Sequence, residues 1–498
     1  MQYSIFLPYL MRSIVRKGIK SGFFILGMSL AAIAHSQTQN DKNILPEIGV
    51  VASEVMPLDK EILVGDAVMR QMRSQAPLIA DPILDEYLQD LGNRLVAYAD
   101  NAKFPFRFFW VNNNDINAFA FFGGHIGVHS GLIYRAKNES ELASVLAHEI
   151  AHVTQRHIAR RMQAQQRSSP LALASMLGGV LLAIANPEAG MAAISAGQAA
   201  SAQLQIDYTR SNEQEADRIG IAMLARAGFD PRGAATFFST LASQYRMVSR
   251  PPARLLSHPL TESRIADARS RVDDYPAVNL PQNLSFELAR ARVVARYTFD
   301  SEYSLEYFKA MVEKSTYSMR EAGLYGLGIA YLRNEQFDQA RKIIIDDLLA
   351  KDPENLFYLD VATDISLAQR KFDEAVARLQ PHLQRTPRNQ VLVLNQANAL
   401  NEARRYEESI ALLKDFLLVH REHELAYQML SEAYKGAKQF QDMHQSKAEV
   451  YALYGAYSRA VDELQYAYNF SGESHLEKQR IRARIKQLRE EEERLKRL

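Results

Sequence analysis

The pattern of apolar and polar positions changes several times along the chain, and each change predicts a different kind of element. The stretch from about Asp59 to Asp100 reads as mostly helical. Between Phe104 and Ile133 the character shifts. The runs FRFFWV (106–111), NAFAFF (117–122) and HIGVHSG (125–131) are aromatic and β-branched, and NNND and GG interrupt them. They predict strands of a small sheet with a hairpin at Gly123-Gly124. A helical period then returns, with Leu142, Val145, Leu146 and Ile150 on one face. It predicts a helix from Ser140, as N-cap, to about Arg161. Another helix is predicted over about Glu213 to Ala227, closed by Gly228 and Pro231.

From about Met319 a longer period takes over. Phe337-Asp-Gln-Ala340, Phe372-Asp-Glu-Ala375, Tyr406-Glu-Glu-Ser409 and Phe440-Gln-Asp-Met443 align as aromatic-x-x-small tetrads, the last one degraded. Their aromatics stand 35, 34 and 34 residues apart, and Pro353 and Pro387 are also 34 apart. A helix–turn–helix unit at this period resembles the tetratricopeptide repeat, whose units stack into a concave surface that binds other proteins. The alternative is an unrelated helical bundle. Residues 477–498 are read as a solvated capping helix without nucleic-acid function.

Two apolar stretches bear on location. Arg12, Arg16, Lys17 and Lys20 precede an apolar run from Gly22 to Ala34, and Ala34-His35-Ser36 precedes polar sequence. Residues 1–36 therefore have the form of a cleaved secretory signal, with an uncleaved anchor as the alternative. The second stretch, residues 170–202, is rich in Leu, Ala and Gly and carries Glu188 as its one charge. It reads as a helical hairpin, either packed on the protein or touching a membrane surface.

Composition narrows the chemistry. The 498 residues carry a formal net charge of +1, which argues against bulk electrostatic binding of nucleic acid. There is no cysteine, so disulfides, iron–sulfur clusters and thiol nucleophiles are excluded, and any zinc is left to His, Asp or Glu.

Among the 12 histidines one pair stands out, in His148-Glu149-Ile150-Ala151-His152. At i, i+4 on a helix both imidazoles project from one face and can grip a single Zn²⁺. Glu149, a quarter turn away, can reach a water at the metal's open position and act as general base. A third ligand is needed. Gln155 and Ile158 occupy the positions where the metzincin pattern requires Gly and His, which excludes that class. His157 is out of register with the metal face, exposed or satisfied in the core. In Glu213-Gln-Glu215-Ala-Asp217, Glu213 and Asp217 share a helical face and Glu215 points away. One of that pair can bind metal while the other accepts a hydrogen bond from a ligand histidine. His125 and His129 are read as structural.

With these residues in place the chain resembles the HtpX and CAAX-prenyl-protease group of gluzincin metallopeptidases, in which HExxH is followed by ExxAD about 60 residues later. Its layout of export signal, catalytic domain and repeats is similar to a periplasmic subgroup of that family. The resemblance implies that His148, His152 and Glu213 bind zinc, one ion per chain. It also implies that Glu149 is the general base and that Asp217 supports the ligands. Ser257 to Arg264 resembles the family's HPxxxxRI segment, which makes His258 a candidate fourth ligand that keeps the site latent; a structural His-Pro turn is the alternative. Asn117 and Phe119 resemble the strand beside the zinc, where an extended substrate could add by β-pairing. Misassembled outer-membrane proteins as substrates, and docking on the barrel-assembly machinery through the repeats, are likewise implied.

The expected fold class is α+β, mostly α: a gluzincin-type zinc metalloprotease domain with a small sheet, followed by an α-solenoid of tetratricopeptide repeats. The expected boundaries are 1–36 signal, 37–275 protease, 276–318 helical connector and 319–498 repeats. The expected function is periplasmic zinc endopeptidase in outer-membrane protein quality control, and the rival is a chaperone or assembly factor whose proteolysis is secondary.

Overall fold

The computed structural model describes residue 52 and residues 55–168, 210–245 and 258–497. The expected signal (1–36) and the apolar hairpin (170–202) lie outside the described residues. Among those described, no helix is long and apolar enough to cross a membrane.

Among the described residues two helices, α1 (Leu58–Gln75) and α2 (Pro82–Val96), precede the sheet. Asp81 caps α2 by accepting from the Leu84 N–H, and Pro82 takes the first position, where no N–H is missed. The strands β1 (Arg107–Val111), β2 (Ala118–Phe121) and β3 (His125–His129) form a sheet of order β1-β3-β2. The hairpin falls where the Gly pair predicts it. Gly123 and Gly124 have φ of 77° and 83°, and a Cβ on Gly124 would lie 2.6 Å from the Pro105 carbonyl oxygen. β2 runs antiparallel to β3, whereas β1 pairs parallel to β3, with Arg107 opposite His125. Alternation assigns the faces. Phe108, Trp110, Ala118, Ala120, Ile126 and Val128 are buried in the main core, and the Trp110 indole donates to the Leu84 carbonyl at 2.9 Å. Phe109, Phe119 and Phe121 share the opposite face as a cluster of ring contacts.

After the short α3 (Ser130–Arg135) comes the central helix, α4 (Glu139–Thr154), buried on all sides from Ser140 to Thr154. Two details differ from the sequence reading. The N-cap is Asn138, whose side chain accepts from the Glu141 N–H at 3.0 Å; Ser140 instead uses its hydroxyl to accept the Asp230 N–H at 3.1 Å. The helix also stops at Thr154, seven residues short of Arg161. Arg156 turns the chain with a φ of 51°, and its buried guanidinium is held by Glu61 of α1 at 2.6–3.0 Å. A distant ion pair thus splits what local pattern reads as one helix, and α5 (His157–Ser168) leaves in a new direction. The helix α6 (Arg210–Arg226) crosses α4 so closely that a Cβ on Gly220 would lie 3.2 Å from the His148 nitrogen. Next come α7 (Arg232–Tyr245) and α8 (Glu262–Val272).

The rest of the chain is helical hairpins. In order these are α9 (Leu284–Val293, extended by a π turn), α10 (Ser301–Glu313), α11 (Arg320–Arg333), α12 (Phe337–Ile343, also extended), α13 (Leu356–Ala368), α14 (Phe372–Arg385), α15 (Gln390–Glu402), α16 (Tyr406–Val419), α17 (Glu424–Gly436), α18 (Phe440–Leu453), α19 (Tyr457–Phe470) and α20 (His475–Lys496). The four tetrad aromatics are the first residues of α12, α14, α16 and α18. The backbone carries the same period. Glu335, Arg370, Arg404 and Lys438 all have φ of 59–61°, two residues before each aromatic. The residue after each donates back across the helix end, as in Lys371 N–H to the Ser366 carbonyl at 2.8 Å. This is the Schellman arrangement made without glycine.

These hairpins rest on the first helices. One apolar cluster runs unbroken from Ile79 through the sheet and α4 to Tyr434. Polar ties cross the same boundary: Asn389 donates to Glu86 at 2.9 Å, Arg70 to the Ala452 carbonyl at 2.9 Å, and Arg107 pairs with Glu422. Arg292 bridges Asp81 and Asp360, at 2.7 and 2.6 Å, and all three are buried.

Candidate metal centre

α4 brings His148 and His152 to one face, as the i, i+4 spacing requires, and their Nε2 atoms lie 2.9 Å apart. α6 supplies Glu213, whose Oε1 is 3.4 Å from His152 Nε2 and whose Oε2 is 3.5 Å from His148 Nε2. His258, just before α8, adds Nδ1 at 3.0 Å from Glu213 Oε1 and 3.3 Å from His148 Nε2. The four side chains are buried, and among the described residues their donor atoms form one group within 4.8 Å.

The set suits a cation. Four ligands about 2.0–2.1 Å from a tetrahedral zinc are separated by about 3.3–3.4 Å, and the five separations above, 2.9–3.5 Å with one or other Glu213 oxygen, lie around that value. The tautomers agree. His148 Nδ1 donates to Asp217 Oδ1 at 2.9 Å, which leaves its Nε2 lone pair directed at the other donors. Asp217 therefore meets the site through His148 rather than facing it. Lone pairs this close repel unless a positive charge, a proton or a metal ion, sits among them.

Electrostatics point the same way. Burial alone would raise the Glu213 carboxyl, but the imidazoles of His258, His148 and His152 hold it far below the ordinary carboxylate range. Burial, together with the charge of His148, keeps His152 well below the usual imidazole value. It is thus neutral at pH 7, the form in which an imidazole can bind a metal ion. Burial works against His148, yet Asp217 and Glu213 win and raise it. Glu149 is fully buried, and His258 Nε2 lies 3.8 Å from its Oε1.

Three residues around this group were not singled out by motif reasoning. Arg264 is buried and forks Asp217 through Nε and Nη2 at 2.7 and 2.8 Å, while Nη1 reaches Glu213 at 2.6 Å. Its signal was present in the His258-to-Arg264 segment. His157 is fully buried, with Nδ1 2.8 Å from His152 Nδ1, and Glu215 takes its other nitrogen at 3.1 Å. Glu215 does point away from the donor group, as its helical position predicts, but towards a partner that i, i+5 spacing cannot reveal.

Asn117 is buried beside β2, and Phe119 is half-buried within it. β2 lies at a sheet edge and packs on α4. His125 reaches Asp66 at 3.2 Å and stacks on Phe121, and His129 meets the Phe119 ring edge-on. Neither belongs to the donor group.

A strand-edged helix bearing HExxH, crossed by a second helix that contributes a glutamate, defines a metallopeptidase. Residues 82–272 match peptidase family M48, and the chain belongs to that family. It is a metalloprotease. Within the family it is similar to proteins of one kind: it is 44% identical over 457 residues to a putative beta-barrel assembly-enhancing protease of Vibrio cholerae, covering 92% of this chain and 94% of that one. It is 40% identical over 472 residues to the beta-barrel assembly-enhancing protease of Escherichia coli K12, covering 95% and 96%. A shorter relative, metalloprotease LoiP of Escherichia coli K12, is 25% identical over 50% of this chain.

Proposed function

We propose that this chain is a zinc-dependent endopeptidase of the periplasm that acts on misassembled outer-membrane β-barrel proteins. The observation that carries the reading is the convergence of His148, His152, Glu213 and His258 beside the buried Glu149. A nitrogen-and-carboxylate set without thiolate suits zinc in a catalytic setting. The names of the relatives support the barrel-assembly context.

In this reading His148, His152 and Glu213 hold the ion, and Asp217 and Arg264 fix the orientation of His148 and Glu213. The bound metal supplies Lewis acidity, polarising the scissile carbonyl and lowering the pKa of water. Glu149 takes the proton of the attacking water and returns it to the leaving amine. The edge of β2, with Asn117 and Phe119, receives substrate in extended form, which its place at the end of the sheet order among the described residues and its packing on α4 support. Residues 37–275 form the protease unit, 276–318 a connector and 319–498 a tetratricopeptide-repeat array that docks the barrel-assembly machinery. The recurrence of left-handed turns at Glu335, Arg370, Arg404 and Lys438, every 34 or 35 residues, supports the repeat assignment. Residues 1–36 direct export.

A Glu149→Gln variant tests the chemistry. It should keep one zinc per chain while casein cleavage falls by about 10²–10⁴-fold. Cleavage at the wild-type rate would remove Glu149 from its role.

His258 supports a second reading, of a latent protease that works mainly by binding. Its imidazole stands among the donors where an open position is needed. His258→Ala should then raise basal cleavage with zinc content intact, and unchanged activity would end the idea.

A further inference from the structure

We infer that His157 and Glu215 form a relay that sets the tautomer of His152 and holds its ring for the metal, so that both are positioning residues. The inference rests on the assignment of His152 as a ligand.

The two ligand imidazoles on α4 are supported differently. His148 leans on a carboxylate directly, through Asp217. His152 has its Nδ1 2.8 Å from the Nδ1 of another histidine. Two imidazole nitrogens at that distance share one proton, so one ring donates and the other accepts. The far side of His157 decides which. Its Nε2 lies 3.1 Å from Glu215 Oε2, and a carboxylate accepts, so the His157 proton sits on Nε2. His157 Nδ1 is then the acceptor, His152 donates from Nδ1, and the lone pair of His152 Nε2 is left for the metal. The chain ends on Arg160, whose guanidinium is 3.0 Å from the same Glu215 oxygen.

The fold is built to place this ring. His157 follows Arg156, whose left-handed backbone and buried pairing with Glu61 end α4 and swing the chain back. Had α4 continued, His157 would lie five residues on, about 140° round the helix from His152, and could not reach it. The His157 ring is fully buried and meets the His152 ring edge-on at 4.8 Å between centroids. A hydrogen bond between a ligand and its support raises ligand basicity and fixes ring orientation, and losing one costs about 10–100-fold in metal affinity.

The test measures zinc affinity of the full-length protein by competition with a chromophoric chelator. His157→Leu removes the acceptor and should weaken zinc binding by about 10–100-fold. His157→Asn places its Oδ1 near the original Nδ1 and should recover most of that loss, which a purely space-filling role for the ring would not produce. Zinc affinity in His157→Leu within about twofold of wild type overturns the relay, as does failure of Asn to improve on Leu. Should the leucine variant not fold, ¹⁵N-histidine spectra of the zinc-loaded wild type decide it: His152 must carry its proton on Nδ1, and a proton on Nε2 refutes the proposal. A wild-type protein that binds no zinc would instead sink the proposed function itself.

Discussion

Replacing Arg292 with Met should cost this protein about 3–5 kcal/mol of stability at neutral pH. The guanidinium is buried and lies between two buried carboxylates, 2.7 Å from Asp81 and 2.6 Å from Asp360. Asp81 caps α2, and Asp360 belongs to α13, so one side chain ties the start of the protease region to the helical hairpins. Methionine fills most of the volume, and the loss is therefore electrostatic. Each carboxylate keeps a neutral donor, Tyr297 on Asp81 at 2.7 Å and Asn395 on Asp360 at 2.9 Å, which keeps the loss near that of one broken buried pair. The pH dependence has a definite sign. Burial pushes the Asp81 carboxyl up, but Arg292 and Arg296 hold it below its ordinary value. Without Arg292 the larger of those two charges is gone and the folded-state value of Asp81 moves up, while burial already holds the Asp360 carboxyl above its ordinary value. The penalty is then present at neutral pH and fades as pH falls towards about 4, where the carboxyls protonate. Urea unfolding followed by circular dichroism at about pH 7 and pH 4.5 reads both effects. A loss below about 1 kcal/mol, or an equal loss at both pH values, would refute the reasoning.

Three other outcomes are expected. Gly220→Val should lower zinc occupancy, because the added methyls must push α6 off the His148 backbone, 3.2 Å from the Cβ position; full occupancy by metal analysis would count against that close crossing. Arg264→Lys should weaken zinc binding by about 10-fold or more, since an ammonium cannot fork Asp217 and reach Glu213 together; chelator competition at wild-type affinity would contradict it. His423 caps α17 by accepting the Ala426 N–H, and burial, with His420 and Arg73 nearby, lowers it to about 4. Its folded value lies below the unfolded one, so stability should fall by about 1–3 kcal/mol as pH drops from about 6.5 to 4, with no further loss from this group below that. His423→Asn, a cap that does not titrate there, should flatten that part of the pH–stability curve, and an unchanged curve would exclude His423 as its source.

Much of the centre was legible in the sequence because its parts are local. The i, i+4 spacing of His148 and His152, the shared face of Glu213 and Asp217, and the Gly123-Gly124 turn follow from helix and hairpin geometry over a few residues. The repeat period was legible for a related reason: units that pack on like neighbours repeat the contacts between them, and the aromatics at 337, 372, 406 and 440 record that. The tertiary structure decided what depends on partners far along the chain. Arg156 ends α4 only because Glu61 waits 95 residues earlier to pair with it. That turn carries His157 from an out-of-register position to the side of His152, and Glu215 from a solvated helix face to a buried partner. The strand order is decided in the same way: β3 enters between β1 and β2 because parallel pairing with β1 completes the buried face around Trp110. Spacing determines which side chains share a face, but burial and ion pairing between distant segments determine what that face meets, and no local pattern encodes it.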